Sequence, residues 1–220
     1  MVASKIRGFF PAAALICALV QLAFAAELPP DLDALAKTLA DGASDHAQRL
    51  EAARKLGEAK NPQYLAPLIA TLKDSNKALR WAAVEALWDI GDKRAVPALI
   101  GYLGKGEAYD WGKVLTMNAL GVMGDPQAVD PLLKVLQSPS PFLRRSAALA
   151  LARFGDDRAI TGIIELLNDE QPWLQRTAQE ILLDLTKDRL AGEVPSGYDE
   201  WRKWRQADIQ RLKLEGTKKP

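Results

Sequence analysis

The residue types that most often do chemistry in proteins are scarce in this chain. Its 220 residues include one histidine, His46, and one cysteine, Cys17. A zinc site built from cysteine and histidine needs several such ligands, and a disulfide framework needs paired cysteines. A lone histidine with no further ligand at metal-binding spacing is typical of a surface or capping residue. The sequence therefore predicts no metal site and no cofactor.

Acidic residues are plentiful, but they form no pattern that marks a catalytic pair. The chain has 28 aspartates and glutamates against 29 lysines and arginines. A paired-carboxylate hydrolase needs two acids in distinct environments, and no two acids here stand out from the solvated faces. The near-cancellation of charge also leaves no basic footprint for nucleic acid. We therefore predict that the chain is not an enzyme and has no nucleic-acid partner.

One cluster of aromatic and acidic residues indicates a different chemistry, which is recognition. Trp81, Glu85 and Trp88 are spaced i, i+4, i+7, so they share one helical face. That face is distinct from the apolar face of Leu79 and Leu87. Tryptophan is favoured at interface hot spots, and Glu85 would supply a polar contact. Two interpretations stay open: an anchor for a partner, or two rings packed under a neighbouring helix or the C-terminal tail.

These residues belong to a segment that recurs along the chain. Residues 78–92 read ALRWAAVEALWDIGD, residues 111–125 read WGKVLTMNALGVMGD and residues 142–156 read FLRRSAALALARFGD. Apolar residues recur in steps of three and four, which predicts helices. The predicted long helices are 44–56, 77–90, 112–123, 142–154 and 174–186, and the predicted shorter ones are 30–40, 61–72, 94–103, 126–137 and 157–167.

Glycines indicate where the long helices end. A glycine just past a helix readily adopts the left-handed conformation that closes it. Aligned on this residue, the copies repeat every 31 to 34 residues, and no run of alternating apolar residues predicts a strand. The glycines are Gly57, Gly91, Gly124 and Gly155, and Lys187 takes the fifth place.

The pattern resembles HEAT repeats of the short bacterial kind named after phycobilisome lyase subunits. The resemblance covers residues 30–188 in about five units and implies an all-α fold, an α-solenoid of about five HEAT-like helix pairs. It also implies that the long helices line the concave side. Such arrays serve as scaffolds in unrelated processes, so the resemblance implies a fold more than an activity. HEAT-type deoxyhypusine hydroxylases bind iron through His-Glu pairs, and this sequence has no His-Glu pair.

A basic residue occupies one position in each copy. The column consists of Arg80, Lys113, Arg144 and Arg176, with His46 in the first copy, and six residues before its four later members lie Asp74, Glu107, Ser138 and Glu170. An anion-binding column is one interpretation. We favour the other, because the arrangement resembles the internal Asp–Arg ladder that joins consecutive HEAT-like repeats.

The resemblance places Trp81, Glu85 and Trp88 on the concave face. The same positions of the next two copies include Asn118 and Arg145. We predict a scaffold that binds a protein or peptide along this face. An accessory subunit of an envelope enzyme complex, or a small-ligand binder that stacks its ligand on the tryptophan pair, are the alternatives.

The connection at residues 104–112, GKGEAYDWG, is richer in glycine than the other connections. Loops often carry recognition residues, which makes Tyr109 and Trp111 candidates. It has no G-K-[ST] sequence and so does not match a phosphate-binding P-loop. An ordinary variable loop between two helices is the interpretation that we favour.

The two ends of the chain differ from the repeats. Lys5 and Arg7 precede an apolar run at 9–24 that ends in small residues, a pattern typical of a secretory signal peptide at residues 1–25. An uncleaved anchor is the alternative, although a spanning helix needs about 20 apolar residues. We therefore expect a periplasmic or secreted protein without strong membrane association after cleavage. In the tail at 189–220, a helix at about 197–214 is predicted to cap residues 174–186.

Overall fold

The computed structural model describes residues 31–104, 111–190, 192 and 194–216. Every regular element in this part of the chain is a helix, as the sequence predicts. The elements are α1 (Leu32–Ala40), α2 (His46–Glu58), α3 (Leu65–Thr71), α4 (Lys77–Ile90), α5 (Val96–Leu103), α6 (Trp111–Met123), α7 (Val129–Val135), α8 (Pro141–Ala152), α9 (Asp157–Glu165), α10 (Pro172–Thr186) and α11 (Tyr198–Gly216).

The helices form two layers. Long helices α2, α4, α6, α8 and α10 pack in sequence against one another and make the inner layer, whereas the shorter helices α1, α3, α5, α7 and α9 make the outer layer. The core lies between the layers and is built from leucine, alanine, valine and isoleucine. Because each pair contacts mainly its neighbours, the array is a solenoid.

Prolines set where three of the outer helices begin. A single 3₁₀ turn precedes each of α3, α5 and α7, and Pro67, Pro97 and Pro131 then lie within the first three residues of the α-helix. Proline lacks a backbone N–H, so it is tolerated in the first turn, where that N–H has no helical partner. The segments predicted as single helices at 94–103 and 126–137 are therefore each a 3₁₀ turn followed by an α-helix.

The inner helices end as predicted in three units and differently in the first. Gly91, Gly124 and Gly155 have φ angles of 67°, 60° and 61°, the left-handed conformation that closes a helix. In the first unit the left-handed residue is Lys60, with φ of 49°. Gly57 instead lies inside α2, so the alignment of Gly57 with the other glycines is wrong by three residues.

Gly57 has a different role, which is to let α2 and α4 approach closely. A Cβ atom at Gly57 would lie 2.6 Å from the Cα of Ala86. Gly121 of α6 lies similarly against Ala150 of α8, where a Cβ would be 3.1 Å from the Cα. Small residues therefore let neighbouring helices of the inner layer pack closely together.

Replacing Gly57 by leucine is expected to lower the free energy of unfolding by about 2 kcal/mol or more, because overpacking outweighs the gain in helix propensity of about 1 kcal/mol. The control is Gly101→Leu in α5, where a Cβ would meet nothing within 4 Å. Urea denaturation followed by circular dichroism measures both. Equal stability of the two variants would show that α2 and α4 can separate without cost.

Helix α11 closes the C-terminal end of the array, as predicted. Trp201 is fully buried, and its indole N–H donates to Oε1 of Gln179 on α10 at 2.9 Å. The hydroxyl of Tyr198 donates to Glu165 of α9. The helix therefore covers both α9 and α10, which would otherwise expose the last apolar face of the array.

A buried charge cluster fixes the far half of α11. The carboxylate of Asp208 is 2% exposed and accepts hydrogen bonds from Arg189, Arg205 and Arg211. Arg205 also donates to the backbone oxygen of Asp157 on α9, at 2.7 Å. Burial opposes ionisation of Asp208 most strongly, but the arginine hydrogen bonds outweigh it, so the pKa of this carboxyl lies below its usual range.

Within the described residues, none of the helices has the length and apolar composition required to span a bilayer. The predicted signal peptide at residues 1–25 lies outside the described residues. It is therefore an expectation from sequence alone.

Candidate functional site

An Asp–Arg ladder joins consecutive units along one edge of the inner layer. Arg49 of α2 donates to Asp74 at 2.7 Å. Three units later, Arg144 of α8 donates to Asp169 through Nε at 2.7 Å and through Nη2 at 2.8 Å. Each aspartate lies in the turn before the next inner helix, so the arginine of one unit holds the turn of the following unit. The ladder is therefore structural at these two joints.

The arginine side chains also bind the turn that precedes their own helix. Arg80 donates from Nη1 to the backbone oxygens of Asp74 and Ser75, at 2.8 and 2.9 Å. Arg144 donates in the same way to Ser138, at 2.7 Å. These carbonyl groups lie just before an inner helix, where no helical N–H reaches them. One guanidinium can therefore satisfy its own turn and bind the next one.

The structure corrects the ladder at both ends of the array. In the fifth unit Gln175, not Arg176, donates to the backbone oxygen of the turn, at 2.6 Å to Asp169. Arg176 is exposed. In the first unit the ladder residue is Arg49, and His46 is exposed at the start of α2. The sequence alignment is shifted by one residue at Arg176 and by three at His46.

The middle of the ladder is described only in part. Lys113 is half-buried on α6, at the position that corresponds to Arg80. Its predicted partner Glu107 lies outside the described residues. Ser138 holds the place of the aspartate in the fourth unit, and its hydroxyl accepts the amide N–H of Ser140 at 3.2 Å. A hydroxyl closes the turn there but supplies no charge for an ion pair.

Burial and hydrogen bonding compete at the two ladder aspartates. Burial raises the pKa of Asp74 and Asp169 and is the strongest single effect on each. Hydrogen bonds from the paired arginine and from a backbone N–H in the same turn act in the opposite direction and together prevail. The pKa of each carboxyl is therefore lower than usual, and both are charged at neutral pH.

The tryptophan pair of α4 lies at the junction with α6. A Cβ at Gly112 would lie 2.6 Å from Cδ1 of Trp81, so this indole packs directly on the backbone of α6. Trp88 is half-buried and packs against the core. It stands at the helix position that glycine occupies in α2 and α6, at Gly57 and Gly121. Both rings therefore have a packing role and keep only part of their surface for a partner.

The other predicted binding residues lie on the same layer. Glu85 and Arg145 are exposed, and Asn118 is half-buried. Glu85 lines an open groove of about 370 Å³ between α2 and α4, together with Glu51, Asp89, Ala47, Leu50 and Ala82. Neither tryptophan of α4 lines this groove, so it is not an aromatic cleft. Its lining is mainly alanine and leucine, with three carboxylates and the guanidinium of Arg54.

A row of aromatic residues on the inner layer was missed as a row by the sequence analysis. Trp111, Phe142 and Trp173 each occupy the first two residues of an inner helix, on α6, α8 and α10. Trp111 is 48% exposed and Phe142 is 58% exposed. The rings of Phe142 and Trp173 stack with centroids 5.6 Å apart. We call these three residues the aromatic row.

Two facts in the sequence point to this row. Its members are spaced by 31 residues, which is within the repeat period, and two of them are adjacent to a proline that starts a helix, Pro141 and Pro172. The sequence predicts Trp111 as part of the loop at 104–112. The structure places it on α6, whereas Tyr109 lies outside the described residues.

In the described part of the chain, no three His, Cys, Asp or Glu side chains converge to hold a metal ion. Of the three carboxylates that line the groove, Glu51, Glu85 and Asp89, the first accepts hydrogen bonds from Arg54. The inner layer presents apolar rings, exposed charges and an open groove.

Comparisons with known proteins agree with this architecture. A family model described as HEAT repeats matches residues 32–111 and 110–183. The phycocyanin lyase structure of CpcE in complex with CpcF, from Nostoc sp. PCC7120, superposes with a TM-score of 0.51 and 23% identity, covering 80% of this chain and 72% of that one. At this identity, the likeness shows the fold alone.

Curated relatives match over shorter segments. Bilin biosynthesis protein PecE of Nostoc sp. is 38% identical over 88 residues, which are 39% of this chain and 35% of the relative. Deoxyhypusine hydroxylase of Gallus gallus is 26% identical over 123 residues, which are 56% of this chain and 41% of the relative. The chain thus spans well under half the length of the curated relatives that it matches.

Proposed function

Because this chain belongs to the family of HEAT-repeat proteins, we propose that it is a scaffold whose inner layer binds a protein or peptide partner. We further propose that it acts without catalysing a reaction itself. Binding along the concave layer is the use that the geometry of a solenoid supports best, since it offers an extended surface rather than a deep pocket.

The distribution of exposed apolar side chains carries this proposal. Among the described residues, the large apolar side chains with the highest exposure are Trp111, Val122, Phe142 and Val194. The first three lie on inner helices α6 and α8, and none lies on an outer helix. Exposed apolar groups gathered on one surface are typical of an interaction site, whereas scattered ones are not.

Photo-crosslinking tests the proposal. A photo-reactive amino acid is placed at Asn118, at the centre of the inner layer, or at Lys134, on outer helix α7, and adducts are identified by mass spectrometry. We expect defined protein adducts from Asn118 and none of the same species from Lys134. Equal adducts from both positions would show that the inner layer is not the binding surface.

The same experiment tests where the protein acts. We propose export to the periplasm or the medium, supported by the signal-peptide pattern of residues 1–25. Adducts formed in intact cells should then contain a chain that begins at Ala26, in the envelope fraction or the medium. A full-length chain crosslinked to intracellular proteins would contradict the proposed export. It would not contradict the proposal that the inner layer is the binding surface.

A second candidate is an accessory subunit of an enzyme complex. The similarity to PecE, a bilin biosynthesis protein, supports it over 39% of this chain. The two candidates predict different partners: an accessory subunit crosslinks to an enzyme whose kcat or KM changes on addition of the purified chain. A partner with no activity that responds to the chain favours the plain scaffold.

A further inference from the structure

Three arginines on the inner layer differ from the other arginines of the described residues. Arg145, Arg153 and Arg176 make no hydrogen bond, ion pair or ring contact there, and all three are exposed. Elsewhere, even strongly exposed arginines such as Arg94 and Arg158 hold a carboxylate. Guanidinium groups are strong bidentate donors for carboxylates. Three of them left open on one surface indicate an anionic partner.

Two of these arginines, Arg145 and Arg176, lie beside the aromatic row. Arg145 follows Phe142 by three residues on α8, and Arg176 follows Trp173 by three residues on α10, so each shares a helical face with its ring. Arg153 ends α8, and its Cδ lies 3.0 Å from the position of a Cβ at Gly121 of α6. Arg145 and Arg176 therefore form a row parallel to Phe142 and Trp173 across α8 and α10, whereas Arg153 lies at the opposite end of α8.

We propose that these two rows bind an acidic, proline-containing segment of a partner protein in the polyproline II conformation. The inference rests on the proposed function, because it names the kind of partner that the inner layer takes. Carboxylates of the segment pair with Arg145 and Arg176, and its proline or aromatic side chains pack on Phe142 and Trp173.

The spacing of the inner helices favours this conformation. Packed helices lie roughly 8–10 Å apart, so Arg145 and Arg176 repeat at about that interval. A polyproline II segment advances about 9 Å in three residues and returns to the same side. Acidic residues at i and i+3 therefore face successive arginines, while the residues between them face the aromatic row. In an α-helix, residues three or four apart on the same face are only about 5–6 Å from each other, so an α-helical segment does not match the spacing of the arginines.

Negative charge elsewhere on the inner layer limits where an acidic segment can bind. Glu180 follows Arg176 by one turn on α10 and is exposed, so it repels carboxylates at the lower edge of the arginine row. At the N-terminal end of the array, the groove between α2 and α4 carries Glu51, Glu85 and Asp89. An acidic segment is therefore confined to α6, α8 and α10.

Fluorescence anisotropy with the full chain tests the proposal. The probe is a fluorescein-labelled peptide of three Glu-Pro-Phe triplets, and its comparison peptides are three Gln-Pro-Phe and three Glu-Gly-Ser triplets. We expect the first peptide to bind at least about tenfold more tightly than either comparison peptide, because it alone offers both charge and apolar contact. Binding should weaken as salt rises, since exposed charges are screened.

Variants locate the site. Arg145→Gln/Arg176→Gln is expected to weaken the binding of the Glu-Pro-Phe peptide about tenfold, and Phe142→Ser to weaken it by a similar factor. The matched control, Lys37→Gln/Lys134→Gln, removes the same charge from exposed positions on the outer helices α1 and α7 and should leave binding unchanged. Circular dichroism confirms that each variant is folded.

Other outcomes overturn the proposal. Equal binding of the Gln-Pro-Phe peptide, or unchanged binding by the double arginine variant, removes the basis for an acidic partner. Competition by inorganic phosphate at equal charge would show a simple anion site. A second copy of the chain is another possible occupant, with the acids of one copy paired to the arginines of the other. It would be indicated if the wild type forms dimers and if both Arg145→Gln/Arg176→Gln and Glu85→Gln/Asp89→Gln are monomers. Defined adducts at Asn118 that persist in the arginine variant would leave the proposed function standing while this inference fails.

Discussion

Replacing Trp201 by alanine is expected to lower the free energy of unfolding by about 3–5 kcal/mol, the range for removing a fully buried tryptophan. The indole is 0% exposed, it donates to Gln179 of α10, and it packs edge-on against Trp204 with centroids 5.4 Å apart. Its removal leaves a cavity between α11 and the array, and the side-chain oxygen of Gln179 loses its donor. The packing of the indole and its hydrogen bond to Gln179 both join α11 to α10, so losing them together has a large effect on stability.

The loss should appear first as release of α11. Beyond Trp201, the helix is held by the charge cluster around Asp208, which is stable only while the arginines and the carboxylate stay together and shielded from water. Once the indole no longer anchors the helix, water reaches this cluster and weakens it. Hydrogen exchange should therefore show early loss of protection in α11 and only later loss in α6 and α8.

Urea denaturation and hydrogen exchange measure these two effects. The control is Trp111→Ala, which removes the same side chain from a site 48% exposed and is expected to cost no more than about 1 kcal/mol. If Trp201→Ala is as stable as Trp111→Ala, α11 is not the cap of the array. If stability falls while α11 keeps its protection, the indole supports α10 without holding the helix.

The helices of the fold could be predicted from the sequence because their period and their end signals agree. The helix predicted at 77–90 is Lys77–Ile90, and the tail helix predicted at about 197–214 is Tyr198–Gly216. Apolar spacing fixes which face is buried, and glycine in the left-handed region fixes where the helix ends. Where these two signals agree, as at Gly91, the sequence predicts both the buried face of the helix and the residue at which it ends.

The register of the terminal units could not be predicted because glycine has two uses. Gly57 allows α2 to approach Ala86, whereas Gly91 ends α4, and the sequence shows only that both are glycines. Lys60 adopts the left-handed conformation in the first unit, which its residue type does not indicate. Aligning on Gly57 therefore moved the ladder position from Arg49 to His46.

The candidate site was predicted as a layer but not as a set of contacts. Inner helices were expected to carry it, and Glu85 and Arg145 are indeed exposed there. Exposure of Trp81 depends on whether its neighbour in α6 is small, and Gly112 provides the space into which the indole packs. The aromatic row depends on position in the helix: Phe142 is the second residue of α8 and stays 58% exposed even though its ring stacks on Trp173 of the next unit.

Replacing Arg144 by methionine is expected to lower the free energy of unfolding at about pH 7 by roughly 3–5 kcal/mol, because removing one partner of a buried ion pair leaves the other charge uncompensated. The side chains of Arg144 and Asp169 are 13% and 6% exposed. Arg144 also donates to the backbone oxygens of Ser138 and Pro139. One substitution therefore disrupts the turn of its own unit and the joint to the next.

The size of this loss should depend on pH in a defined direction. The folded-state pKa of Asp169 is lowered, with burial opposing and the hydrogen bonds from Arg144 and the Gln171 amide prevailing. A lowered pKa contributes stability that is fully present above the unfolded value of about 3.9 and is lost as the pH falls through the folded value. The difference in stability between wild type and Arg144→Met should therefore be largest above about pH 5 and should narrow as the pH falls below about 4, to the part that the contacts of Arg144 with the carbonyl groups contribute.

Urea denaturation across this pH range, with Asp169→Asn and the double variant, isolates the pair. We expect a coupling energy of about 1–3 kcal/mol between the two residues at neutral pH. The control is Lys187→Met, whose partner Asp184 is 77% exposed, so its loss should cost less than about 1 kcal/mol at any pH. A pH-independent loss in Arg144→Met would assign the effect to the carbonyl contacts of Arg144 and not to its charge. In that case the fourth and fifth units are joined by packing, and the ladder serves only to shape the turns that precede the inner helices.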